Sequence, residues 1–93
     1  ETVTIDGAMF LNDVAVGPGG EVFVSDTATN SVHSWKPGQA PTLVIQSPDL
    51  QAANGLAFKD DLLHVAGIGS LSDPAVLGTL VRIDMGKATP VSA

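Results

Sequence analysis

Along the whole chain, apolar positions alternate with polar ones in short runs of roughly four to seven residues. No stretch repeats them at i, i+3, i+4 and i+7 for long enough to make a helix. The strand candidates are FLNDVAV (10–16), EVFVSD (21–26), SVHSW (31–35), TLVIQ (42–46), NGLAF (54–58), LLHVAG (62–67) and TLVRID (79–84). Each is rich in β-branched or large apolar residues, which suit a pleated, half-buried surface. The pattern predicts an all-β chain.

Turn chemistry separates these runs. Ten glycines and six prolines supply the breaks. GPGG (17–20) and KDD (59–61) are short enough to be hairpin links, and KPGQAP (36–41) is a longer turn directed by Pro37 and Gly38. PDLQAA (48–53) offers one helical turn started by proline, which leads into the next strand.

The pattern also repeats. NDVAVGPGGEVFVSD (12–26) set over NGLAFKDDLLHVAG (54–67) pairs Asn12 with Asn54, Val14 with Leu56, Ala15 with Ala57, Val16 with Phe58 and Val24 with Val65. NSVHSWKPG (30–38) then matches GTLVRIDMG (78–86), so that Val32 meets Leu80 and Trp35 meets Ile83, with an insertion at 68–77. A period of roughly 40 to 50 residues with about four strands per repeat is the signature of a β-propeller blade. One such blade exposes two apolar faces, which only neighbouring blades can cover. The boundaries expected are residues 1–7 as the outer strand of a neighbouring blade, 8–50 as a complete blade, and 51–93 as a second blade whose fourth strand is incomplete.

Charge narrows the partners. Ten acidic residues against four basic ones give a formal charge of −6, which argues against a nucleic-acid backbone. No apolar run is long enough for a membrane helix, and no membrane partner is expected. The absence of cysteine removes disulfides and thiolate metal sites while leaving the compartment open. The chain begins at Glu1 without a charged-then-apolar leader, so a processed product, a trimmed chain and a fragment all stay open.

FLNDVAVGPGGEVFVSDT and NGLAFKDDLLHVA resemble consecutive blades of the SMP-30/gluconolactonase/LRE-like family, six-bladed propellers that include metal-dependent lactonases. The resemblance covers nearly the whole chain. It implies about two four-stranded blades of a six-bladed ring, with Asn-Asp opening one inner strand and Asn-Gly a later one, and side chains facing a channel that holds a divalent cation. On this resemblance Asn54 is a metal ligand and Asn12 contacts substrate or a metal-bound water. Calcium is the expected cation, because it accepts oxygen ligands, and the substrate is a small lactone or sugar-derived molecule. On the residues alone, an Asn-Gly pair reads equally well as a simple turn former.

The family's acidic ligands have no counterpart in this chain, whose glutamates are Glu1 and Glu21. Two neutral amides hold a divalent cation poorly, so the chain alone is expected to be inactive. Asp13 is the carboxylate nearest Asn12 and the candidate base, although strand alternation sends adjacent side chains to opposite faces. Asp26 and Asn30 in SDTATNSV (25–32) read as turn residues that bond backbone amides. His33 and His64 have no histidine partner at a metal spacing, and Ser25, Ser31 and Ser34 lack a nucleophile elbow. The competing class is a non-catalytic, NHL-like propeller scaffold that binds a protein or glycan. In either case the remaining blades come from the same longer protein or from a homo-trimer.

Overall fold

The computed structural model describes residues 1–70, 72–73, 75, 77–85 and 89–92. The chain forms two four-stranded antiparallel sheets, each with its strands in sequence order. The first sheet contains β1 (Leu11–Val16), β2 (Val22–Asp26), β3 (Ser31–Trp35) and β4 (Thr42–Gln46); the second contains β5 (Ala53–Lys59), β6 (Leu62–Gly67), β7 (Leu80–Asp84) and β8 (Thr89–Ser92). The seven strand candidates between residues 10 and 84 are therefore all strands, with ends displaced by a residue or so. The fourth strand of the second sheet, expected as only a beginning, is a four-residue strand paired with β7. Residues 1–10 join neither sheet, and the Ala8 amide donates to the Ile5 carbonyl at 3.2 Å around a turn.

Cross-strand partners share a face, so the register sorts the side chains. On the first sheet, Ala15 pairs with Phe23 and Ser25 with Val32, and these face the second sheet. From the second sheet come Leu56, Leu63, Val65, Val81 and Ile83, which complete the core. Leu63, Val65, Ile83 and Val32 are fully buried, each contributing about 1.5–3 kcal/mol relative to an exposed side chain. The rings of Phe23 and Phe58 close one end of this layer, 4.8 Å apart and tilted by 59°. Gly17 makes room for them, since a Cβ there would lie 2.9 Å from the Phe23 ring.

A single 3-10 turn, Pro48–Leu50, carries the chain from the outermost strand of the first sheet to the first strand of the second. Ser47 caps it by accepting from the Asp49 amide at 3.1 Å, and Pro48 starts it. Gln51 and Ala52 then take left-handed backbone angles (φ 52° and 60°), which cost non-glycine residues on the order of 1 kcal/mol each. Leu50 is buried and anchors the turn.

The segment following β6 is fixed to the same turn. The Gly69 amide donates to the Gln51 carbonyl at 2.9 Å, and the Gly67 amide to the Thr79 carbonyl at 2.8 Å. A Cβ on Gly67 would overlap the Leu50 carbonyl oxygen. Gly67→Ala is therefore expected to lower unfolding stability by about 2 kcal/mol or more. At Gly55 a Cβ would meet only the Ala66 Cβ at 3.6 Å, and Gly55→Ala is expected to stay within about 0.5 kcal/mol of the parent. Urea denaturation of the two variants checks both; equal losses would contradict the placement of Gly67 against the turn.

Candidate functional site

β1 and β5 are both edge strands, and they lie beside each other where the two sheets meet. Each contains a β-bulge at its asparagine. In β1 the register slips between Leu11 and Val14, which brackets Asn12 and Asp13. In β5 it slips between Ala53 and Gly55, which brackets Asn54. A bulge inserts one residue, bends the strand and re-aims side chains. This explains why an Asn-Gly pair stands inside a strand: the pair forms the bulge and does not close a hairpin.

Side chains of the first sheet bond the backbone of β5 across this seam. The Ser25 hydroxyl accepts from the Asp13 amide at 3.0 Å and donates to the Asn54 carbonyl at 2.6 Å. The Thr27 hydroxyl accepts from the Asn12 side-chain amide at 3.1 Å and donates to the Ala53 carbonyl at 2.6 Å. The Leu56 amide donates to Asp13 Oδ2 at 2.8 Å, and the Ala52 amide to Asn30 Oδ1 at 2.5 Å. Ser25 and Thr27 are buried, where a hydroxyl left without partners would cost about 1–3 kcal/mol.

Asn12, Asp13 and Asn54 are thus brought to one seam. Asn12 is exposed, with Nδ2 on Thr27. Asn54 is half-buried, held through its carbonyl, and its side-chain amide has no hydrogen-bond partner among the described residues. Asp13 does not follow simple alternation, because the bulge breaks it. Its Oδ1 accepts from the Val14 amide at 2.9 Å and its Oδ2 from Leu56, so both oxygens are engaged in holding the seam.

Behind this seam stands Asp26, fully buried. The Met9 and Phe10 amides donate to its two oxygens at 2.8 and 2.9 Å, and the Ala28 amide donates at 3.2 Å. Burial pushes the carboxyl up, but the Met9 and Phe10 amides, with the Thr29 side chain and the Ala28 amide, outweigh it and hold the group below the ordinary value of 3.8. The expected turn role of Asp26 and Asn30 is what the contacts give, with a longer reach than the turn itself: Asp26 fixes the segment before β1, and Asn30 fixes the entry to β5.

Ser25 and Thr27 have the contacts least visible in the sequence. Their partners lie 29 and 26 residues away, and a small hydroxyl in a strand gives no periodic signal. His33 pairs with Val24 and Leu43, and His64 with Ala57 and Arg82. Among the described residues, no group of three or more His, Cys, Asp or Glu side chains could hold a metal ion. Comparison with protein-family models, curated proteins and solved structures found no match to the chain.

The depressed Asp26 value fixes the sign of a pH dependence. A carboxyl with a lower pKa folded than unfolded contributes stability above its unfolded pKa and loses that contribution as pH falls through the folded value. Stability is therefore expected to decline below about pH 4. Asp26→Asn should cost about 2 kcal/mol or more at neutral pH and flatten the acid limb. Urea midpoints measured across the acid range check this; an unchanged acid limb in the variant would remove Asp26 from the cause.

Proposed function

We propose that the two sheets are consecutive blades of a six-bladed β-propeller resembling the SMP-30/gluconolactonase/LRE-like family. In this reading Asn54 and Asn12 stand at the mouth of the central channel of a hydrolase that acts on a lactone or sugar-derived ester. The supporting observation is a repeated interface with one copy uncovered. Leu56, Phe58, Val65 and Ile83 face the first sheet and pack against it. Their repeat equivalents, Val14, Val16, Val24 and Trp35, lie together on the opposite face of the first sheet. Val14 is 56% exposed and Val16 63%, whereas Leu56 is buried. A preceding blade would cover the first set as the first sheet covers the second.

The amide oxygen of Asn54 fits a hard cation such as calcium as a neutral ligand. The described residues hold no acidic cluster to accompany it, so in this reading the carboxylate ligands come from other blades of the same longer protein, whereas a trimer would bring three Asn54 amides without a glutamate and make a poorer cation site. When bound, such a cation polarises a carbonyl and activates water. This chain's residues do the positioning. Ser25 holds the Asn54 backbone, Thr27 holds the Asn12 amide, and Gly55 places no side chain next to Asn54. In this reading Asp13 keeps the strands together, and a proton acceptor comes from elsewhere.

The competing scaffold reading draws on the structural use of Asp26 and Asn30, whose oxygens accept from backbone amides, with the Thr29 side chain also on Asp26. Calorimetry of the complete protein with calcium and with a chelator separates the two. A native-state ligand raises the thermal midpoint, and the rise is expected to shrink in Asn54→Ala while the chelated midpoint stays close to the parent's. No calcium effect on the parent would favour the scaffold.

A further inference from the structure

The two sheets part at the end opposite the asparagines, where the 17–20 and 59–61 links turn. The opening is a cleft of about 330 Å³ lined by Pro18, Glu21, Phe23, Phe58, Asp61 and Met85. That volume falls at the small end of ligand pockets, roughly 300–1,000 Å³. Its floor is apolar and polarisable: the tilted Phe23–Phe58 pair and the Met85 thioether. Among the described residues its ionisable groups are both carboxylates, Glu21 ahead of β2 and Asp61 in the link between β5 and β6.

We propose that this cleft binds a small organic cation of the alkylammonium class. The half-buried Phe58 ring attracts such a cation through its quadrupole, with the buried Phe23 behind it, and the ligand's alkyl groups cover Phe58 and Met85 carbon that water otherwise wets. Glu21 and Asp61 lie on links from different sheets, so a single positive charge in the cleft is attracted by carboxylates from both. A metal ion suits the cleft badly. It needs several oxygen ligands in its first shell, while most of this lining is carbon. The proposal is independent of the channel function above, which lies at the other end of the strands.

One cation already competes. The Lys36 ammonium lies 3.9 Å from Glu21, and both side chains are well exposed, so their mutual hold is weak. Removing Lys36 should free Glu21 for a ligand. This gives the site a two-sided signature: loss of an acid weakens binding, and loss of the lysine strengthens it.

The test is a titration of the protein with choline at low ionic strength, followed by nuclear magnetic resonance of the Phe23 and Phe58 rings and the Met85 methyl group. The control ligand is the neutral alcohol in which carbon replaces the choline nitrogen. Saturable shifts are expected with choline and not with the alcohol. Glu21→Gln and Asp61→Asn, both at solvent-facing positions, should each weaken binding about two- to fivefold, and Lys36→Gln should tighten it. Equal binding of the alcohol would reduce the cleft to a greasy crevice. Affinities unmoved by the three charge variants, no saturable shift with choline, or shifts produced by calcium in place of choline would each overturn the proposal.

Discussion

The start of β5 takes its hydrogen bonds from the side chains of another sheet. Ala52 N, Ala53 O, Asn54 O and Leu56 N are bonded by Asn30, Thr27, Ser25 and Asp13 respectively. β5 is an edge strand with a bulge in it, so the ladder with β6 cannot satisfy these groups. A bare edge would leave them to water or to another chain. Backbone polar groups that are buried must be paired, and here the pairing also decides where the second sheet sits.

Two kinds of force therefore divide the work. Burial of Leu63, Val65, Ile83, Val32 and their neighbours supplies most of the attraction between the sheets, but it is non-directional. The hydroxyls of Ser25 and Thr27 and the oxygens of Asp13 and Asn30 are directional, and they select one lateral position. Asp26 supports them from behind. Its negative charge is balanced by amide donors from Met9 and Phe10, which hold the entry to β1. The cost of keeping Gln51 and Ala52 left-handed is offset by Leu50 burial and by the Asn30 bond to Ala52. The two asparagines at the bulges inherit their positions from this arrangement.

The strands were legible because half-buried strands alternate with a period of two, and the runs at 31–35, 42–46 and 62–67 match β3, β4 and β6 to the residue. The repeat was legible too: Val14 and Leu56, matched by sequence, occupy corresponding faces of their sheets. The bulges were not legible, since one inserted residue barely alters a short alternating run. That is why Asp13, expected by alternation to turn away from the side of Asn12, instead joins it at the seam. The hydroxyl contacts were hidden for another reason. They link Ser25 to Asn54 and Thr27 to Ala53, and single-sequence periodicity says nothing about partners so far apart. Residues 1–7 join neither of these two sheets, and the strand expected there was to pair with a neighbouring blade that the two sheets do not include.

Hydrogen exchange of individual amides tests the seam most directly. The Ala52 and Leu56 amides, at the start of the second sheet, donate to the Asn30 and Asp13 side chains beside the first. If side chains lock the two sheets together, these two amides should be protected to a degree close to that of Val65 in the middle of β6, and all should exchange together when the protein opens. Free exchange at Ala52 and Leu56 beneath a protected Val65 would contradict the lock and leave apolar burial alone to hold the sheets.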